Sequence, residues 1–164
     1  MPPIMSSVEI HRPPDEVFAY VTDPARFPEW QLDAAGGRAE AGREPGVGAR
    51  YTTIRRIAGI VPKTTTSEIT EANPPKSWAA QGTGGPVRES VRYTVENLDG
   101  NKRSRVTIEL DFEGHGIGKL LVPLVVRRQA RKEMPINCRK LKDRLEGGLS
   151  KPHGRPTPRR SPGA

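Results

Sequence analysis

The sequence predicts an α+β protein, an antiparallel β-sheet covered on one face by a long C-terminal helix. Three observations predict it. Val87–Asn97 and Ser104–Glu113 alternate apolar and polar residues on either side of an Asp99-Gly100-Asn101 break, as paired strands with one covered and one wet face do. Val122, Val126, Ala130, Met134, Cys138, Leu141 and Leu145 then recur at spacings of three and four, one stripe of a helix. Between Arg38 and Phe112, clusters of Gly, Pro and Asn/Asp cut the chain into strand-length pieces.

Taken in order, Ser6 to Trp30 (SSVEIHRPPDEVFAYVTDPARFPEW) specifies a strand over Ser7–His11, stopped by two prolines, and then a helix with acids in its first turn. Prolines at the entry and carboxylates beside it suit the free N–H groups and positive dipole end of a helix. That helix ends at Asp23-Pro24, and a short helix or turn follows with Phe27 and Trp30. Further strands are expected at Gly37–Ala41, Ala49–Ile57, Lys63–Glu71 and Ser77–Gly82. The breaks between them are Glu44-Pro45-Gly46, Gly59 to Pro62, Asn73-Pro74-Pro75 and Gly82 to Pro86. On the last two strands Val87, Val91, Tyr93 and Val95 share a face, as do Val106, Ile108, Leu110 and Phe112. The covering helix lies within Gly118 to Glu146. Pro123 is tolerated in a first turn, which sets the start near Leu121 or Val122, whereas the interior Pro135 should kink the helix. Basic residues in the last turns and Gly147-Gly148 form its stop.

The 164 residues fit one domain with a single core. The formal charge of +8 is uneven: the segment after Glu146 holds four Lys/Arg and no acid, leaving +4 for residues 1–146. Rich in Pro, Gly and Arg, residues 147–164 have almost nothing to bury and are expected to be a disordered tail. One cysteine, Cys138, excludes an internal disulfide framework and a multi-cysteine metal site. The longest apolar run, Leu120 to Val126, is too short to cross a bilayer, and no apolar leader opens the chain, so a soluble cytoplasmic protein is expected.

Enzyme motifs are scarce. His11, His115 and His153 have no ligand spacing, so no metal is expected. The Gly114-His115-Gly116-Ile117-Gly118-Lys119 stretch misses the phosphate-loop pattern at Glu113 and Leu120. It reads as a flexible connection into the helix and a possible lid. G-x-S-x-G does not occur. Lys119 to Glu146 holds nine Lys/Arg and three acids, read as a solvated helix face; without aromatic-basic interleaving, no nucleic acid is expected as partner. Leu120–Val126 followed by Arg127-Arg128 would also suit a peripheral membrane contact.

VEIHRPPDEVFAYVTDPARFPEW at the start, EITEANPPKSWA in the middle and RRQARKEMPINCRKLKDRLEG at the end make the chain resemble the SRPBCC (START/Bet v 1-like) superfamily over residues 1–146. Its nearest likeness there is the polyketide cyclase/dehydrase-like group. The resemblance implies a helix-grip fold: a curved sheet of about seven strands around the C-terminal helix, with two short helices after the first strand. It also implies a cavity between sheet and helix that takes a small apolar or amphipathic, lipid- or polyketide-like ligand; no cofactor is expected. Composition fits this. If Ile69 faces inward so do Thr65 and Ser67, and if Tyr51 does so do Thr53 and Arg55, hydroxyls and a cation that need partners, water or a ligand.

On that reading Val126, Ala130 and Met134 form the helix wall of a ligand site, and Tyr51, Tyr93 and Phe112 the sheet wall. Trp30 lies at the mouth, either as a plug between helix and sheet or as a ligand stack. Tyr93 is expected to orient the ligand through its hydroxyl. Catalytic residues are unknown. Glu89, on the face of Val91 and Tyr93, is the candidate for acid/base work and would need a cation such as Arg55 if covered. As an acid, it is expected beyond the covered region at the strand end. Three classes of function follow: a small-molecule binder first, a polyketide cyclase or dehydratase second, and a protein- or membrane-interaction module using the basic helix and tail third. Oligomeric state is left open.

Overall fold

The computed structural model describes residues 2–57 and 61–147. The expected disordered tail falls, beyond Gly147, outside the described residues, as does part of the Gly59 to Pro62 break. Seven strands form one antiparallel sheet: β1 (Ile4–Ile10), β2 (Ala34–Ala39), β3 (Arg50–Ile57), β4 (Val61–Asn73), β5 (Ser77–Gly82), β6 (Val87–Leu98) and β7 (Arg103–Gly114). Their order across the sheet is β1-β7-β6-β5-β4-β3-β2, a meander from β2 to β7 with the first strand added beside the last. β6 and β7 register Val91 against Leu110, Tyr93 against Ile108 and Val95 against Val106. The alternation therefore places one apolar set inward, as expected. The four-residue loop between Leu98 and Arg103 holds three consecutive left-handed residues, Asp99 at φ 50°, Gly100 at φ 60° and Asn101 at φ 69°, a conformation that Gly, Asp and Asn adopt most readily.

Helix α1 (Pro14–Val21) follows β1 and carries Asp15 and Glu16 in its first turn. A 3₁₀ turn (Pro24–Arg26) is capped by the Asp23 side chain, which accepts from Ala25 N at 3.0 Å. Helix α2 (Phe27–Trp30) then buries Phe27 and Trp30, each 1% exposed. These short helices and the C-terminal helix cover the concave face, the helix-grip arrangement.

The C-terminal segment departs from one expectation. It is not a single helix starting near Leu121 or Val122. A short α3 (Gly118–Leu121) leads into a π-helical turn (Val122–Val126) and then α4 (Arg127–Glu146). A π turn holds one extra residue, and Pro123, which lacks an N–H donor, sits inside it. The buried stripe therefore steps by five from Val122 to Arg127 before resuming through Ala130, Met134, Cys138, Leu141 and Leu145. Arg127, 2% exposed, takes the buried place expected of Val126, which is half-buried. Its guanidinium donates to Asp111 Oδ1 at 2.9 Å and to the Pro2 carbonyl at 2.5 Å. Pro135 is exposed, and α4 runs through it.

The connection after β7, expected to be flexible, is close-packed. His115 N donates to the Pro86 carbonyl at 2.8 Å. A Cβ on Gly118 would fall 1.7 Å from the same carbonyl oxygen, so only glycine lets the backbones meet there. The far end of α4 is fixed to β1 and its flank. Lys142 Nζ donates to the Glu9 carbonyl, Arg12 Nε to that of Leu145, and His11 N to Glu146 Oε1.

Candidate functional site

Between the sheet and the first half of α4 lies a cavity of about 130 Å³. Its two sides differ in chemistry. Apolar groups come from β6, β7 and the helix: Val87, Tyr93, Ile108, Leu110, Phe112, Val126, Ala130 and Met134. Polar groups come from β3, β4, the segment after α2, the helix and, through Glu89 alone, β6: Gln31, Asp33, Arg55, Lys63, Thr65, Ser67, Glu89, Gln129, Glu133 and Asn137.

Period-two alternation on β3 and β4 turns Thr53, Arg55, Thr65 and Ser67 inward. Thr53, 2% exposed, shares a 2.9 Å hydrogen bond with the Thr65 hydroxyl. Arg55 is the hub. Its Nη1 donates to Gln31 Oε1 at 2.9 Å and to both oxygens of Asp33 at 2.9 and 3.0 Å, and its Nη2 lies 3.6 Å from Glu89 Oε1. Gln31 in turn donates from Nε2 to the Tyr93 hydroxyl at 3.2 Å. A chain of polar contacts thus runs Glu89–Arg55–Gln31–Tyr93 along the cavity, with Asp33 held against its cation.

The electrostatics follow from this packing. Burial pushes the Glu89 carboxyl above its ordinary range; Arg55 opposes that shift and Asp33 adds to it. Burial likewise raises Glu133, whose Oε1 accepts from Gln129 Nε2 at 3.0 Å. The Tyr93 phenol is pushed up by burial and by Tyr51 and Glu89, so it acts as a neutral hydroxyl. No group of His, Cys, Asp and Glu suited to a metal ion occurs among the described residues.

Six of the seven residues expected at a ligand site line the cavity: Trp30, Tyr93, Phe112, Val126, Ala130 and Met134. Tyr51 does not. It lies behind the wall, 4% exposed, with ring centroids 6.0 Å from Phe27 and 5.8 Å from Trp78. Cross-strand pairing lays Trp78 flat on Tyr93, 5.2 Å apart and 11° from parallel, and Trp30 meets the edge of Tyr93 at 6.1 Å. The aromatic residues therefore form one bracing cluster, and Trp30 is both its member and part of the cavity lining. Its indole Nε1 finds no hydrogen-bond partner among the described residues.

Glu89 corrects a second expectation. It lies within the covered region, opposite Phe112 in the register, with its side chain 24% exposed toward the cavity. The turn of chain through Gly118 roofs this end of the sheet. Asp33 and Gln31 were not singled out from sequence. The signal was the pairing of Ala34 with Arg55, which sets Asp33 beside the guanidinium. It was hidden because β2 starts with Ala34-Ala35-Gly36-Gly37, residues of weak strand propensity, so the strand was expected three residues late.

The family model described as polyketide cyclase/dehydrase and lipid transport matches residues 1–146. The chain belongs to that family. Solved structures agree with membership at the level of fold. A START superfamily protein from Mycobacterium smegmatis superimposes with a TM-score of 0.72 at 15% identity, over 90% of this chain and 99% of that one. The Zhui aromatase/cyclase from Streptomyces sp. R1128 gives 0.66 at 16% identity, over 87% and 94%. The di-domain ARO/CYC BexL of the BE-7585A biosynthetic pathway gives 0.66 at 20% identity, over 89% of this chain; the chain spans 47% of that protein's length. At these identities the likeness shows the fold alone. No curated protein matches the sequence. Among the described residues, no helix is long and apolar enough to cross a membrane.

Proposed function

We propose that the cavity binds one small amphipathic molecule, lipid- or polyketide-like, with its apolar body along Ile108, Leu110, Phe112, Val126, Ala130 and Met134. Its polar end lies toward Arg55, Gln31 and the Tyr93 hydroxyl. The observation that carries this reading is the division of one cavity into an apolar wall and a hydrogen-bonded polar wall, the arrangement by which pockets combine affinity with orientation. Family membership supports it. One feature suits a ligand with its own polar groups: the Thr65 and Ser67 hydroxyls lie at the cavity surface.

Ala130 is the place to test it, because its small side chain, 8% exposed, faces the cavity at mid-wall. Ala130→Trp should abolish uptake of an apolar fluorescent dye and leave the melting temperature nearly unchanged. In a packed core the same change would cost about 1–3 kcal/mol or more. Marked destabilisation with dye binding intact would overturn the reading. Native mass spectrometry of the purified protein would identify any molecule carried along.

A second reading has its own observation. Glu89 is a carboxyl with a raised pKa, open to the cavity and 3.6 Å from a guanidinium. Such a group is poised to give or take a proton. A cyclase or dehydratase would use it on a chain held folded against the apolar wall. Turnover of a poly-β-keto thioester, lost in Glu89→Gln while dye binding persists, would establish this over simple binding.

A further inference from the structure

The most apolar stretch of the chain is turned outward. Ile117, Leu120 and Leu124 are 67%, 66% and 64% exposed, and they project from one side of α3 and the π turn. The opposite side is seated on the sheet through Gly118 and Val122. Along the chain its charge has one sign: Lys119, Arg128, Arg131 and Lys132 are exposed, and no acid occurs from Gly114 to Lys132, while the nearby carboxylates Asp111 and Glu113 lie against Arg127 and His115. It also borders the cavity. Gly118 rests on Pro86, while the adjoining Val87 and the last residue of the π turn, Val126, line the cavity wall.

We propose that this ridge docks the protein onto an anionic lipid bilayer. The three aliphatic side chains enter the boundary between headgroups and acyl chains, and the four cations meet the lipid phosphates. The π turn makes the surface possible. By advancing the buried stripe one residue, it gives Arg127 the inward place and leaves Leu124 outside. Charge complementarity selects the occupant. In a symmetric dimer through this ridge the four cations would meet the same four on the copy, which repels. An acidic protein would answer the charge, but the ridge lacks the exposed Trp and Tyr anchors on which protein interfaces rest. The proposal does not depend on what the cavity holds.

Flotation of the full chain with vesicles tests it, using phosphatidylcholine alone and an equal mixture of phosphatidylcholine and phosphatidylglycerol. Binding is expected to the mixture only, and to weaken with added salt. Leu120→Ser with Leu124→Ser should lower the affinity about tenfold or more while the melting temperature holds. Lys119→Gln with Arg128→Gln should lower it as well. Three results would overturn the proposal. One is no binding to either vesicle. Another is binding untouched by the leucine changes but lost when Lys151, Arg155, Arg159 and Arg160 are replaced by serine, which would assign it to the tail. The third is self-association in sedimentation equilibrium, abolished by the leucine changes, with no vesicle binding.

Discussion

The two halves of the sheet obey the same alternation and do opposite things with it. On β6 and β7 the inward positions Val91, Tyr93, Val95, Val106 and Ile108 are at most 6% exposed, and of these only Tyr93 and Ile108 reach the cavity. They share one hydrophobic core with Met134, Cys138, Leu141 and Leu145 of α4. On β3 and β4 the inward positions beyond the buried Tyr51 and Ile69 are Thr53, Arg55, Thr65 and Ser67, and all but Thr53 line the cavity. Period two therefore reports which face is covered, and only side-chain chemistry reports whether the cover is tight. Hydroxyls and a guanidinium cannot be buried unpartnered without several kcal/mol of desolvation, on the order of the protein's net stability when summed. A sheet that turns them inward must leave them partners or space.

Substitutions at the two ends should separate the halves. The largest effect is expected at the dry end. Leu141 is fully buried, and Leu141→Ala should cost about 3 kcal/mol in urea unfolding with dye uptake unchanged. A loss under about 1 kcal/mol would mean that the core there collapses freely and that the contrast is false.

The next effect is one of pH. Glu89 holds its proton more tightly folded than unfolded, chiefly through burial. Its contribution thus favours folding below the ordinary carboxyl value of 4.5 and is lost as pH rises through the raised folded value. Glu89→Gln removes this slope. The variant's stability relative to wild type should therefore climb from below pH 4.5 toward neutrality, as followed by urea titrations across that range. A flat difference would show that Glu89 is solvated like a surface acid.

The smallest effect belongs to the hydroxyl pair. Thr53→Val alone leaves Thr65 facing the cavity, where water can serve it, so the cost should stay within about 1 kcal/mol. A larger loss, recovered when Thr65→Val is added, would show that this wall is dry after all.

Much of the architecture was legible because it rests on local rules: alternation, stripe spacing, Asp-Gly and proline breaks. The apolar cavity wall followed from the same rules. Three things did not. Arg127's burial depends on a π turn, and no residue pattern separates that turn from a proline in a first helical turn. Asp33's role depends on the register of a glycine-weakened strand. Tyr51 shares its face with Thr53 and Arg55 as expected, but Phe27 and Trp78 close over it, a packing outcome that strand parity does not contain.

The position of β1 carries a consequence for how the chain is made. Residues 4–10 pair only with residues 104–110 of β7, and α4 ties to the same strand and its flank from 133 to 135 residues away. Made before every other strand described, β1 finds no sheet partner until residues 104–110 have emerged. Contacts of such long sequence separation close slowly. On the ribosome the growing chain would carry an unpaired strand through most of elongation, exposed to whatever else binds strands. Its final step joins β1 to β7 and α4, so the native state is sealed by segments 94 to 135 residues downstream closing on this strand and its flank.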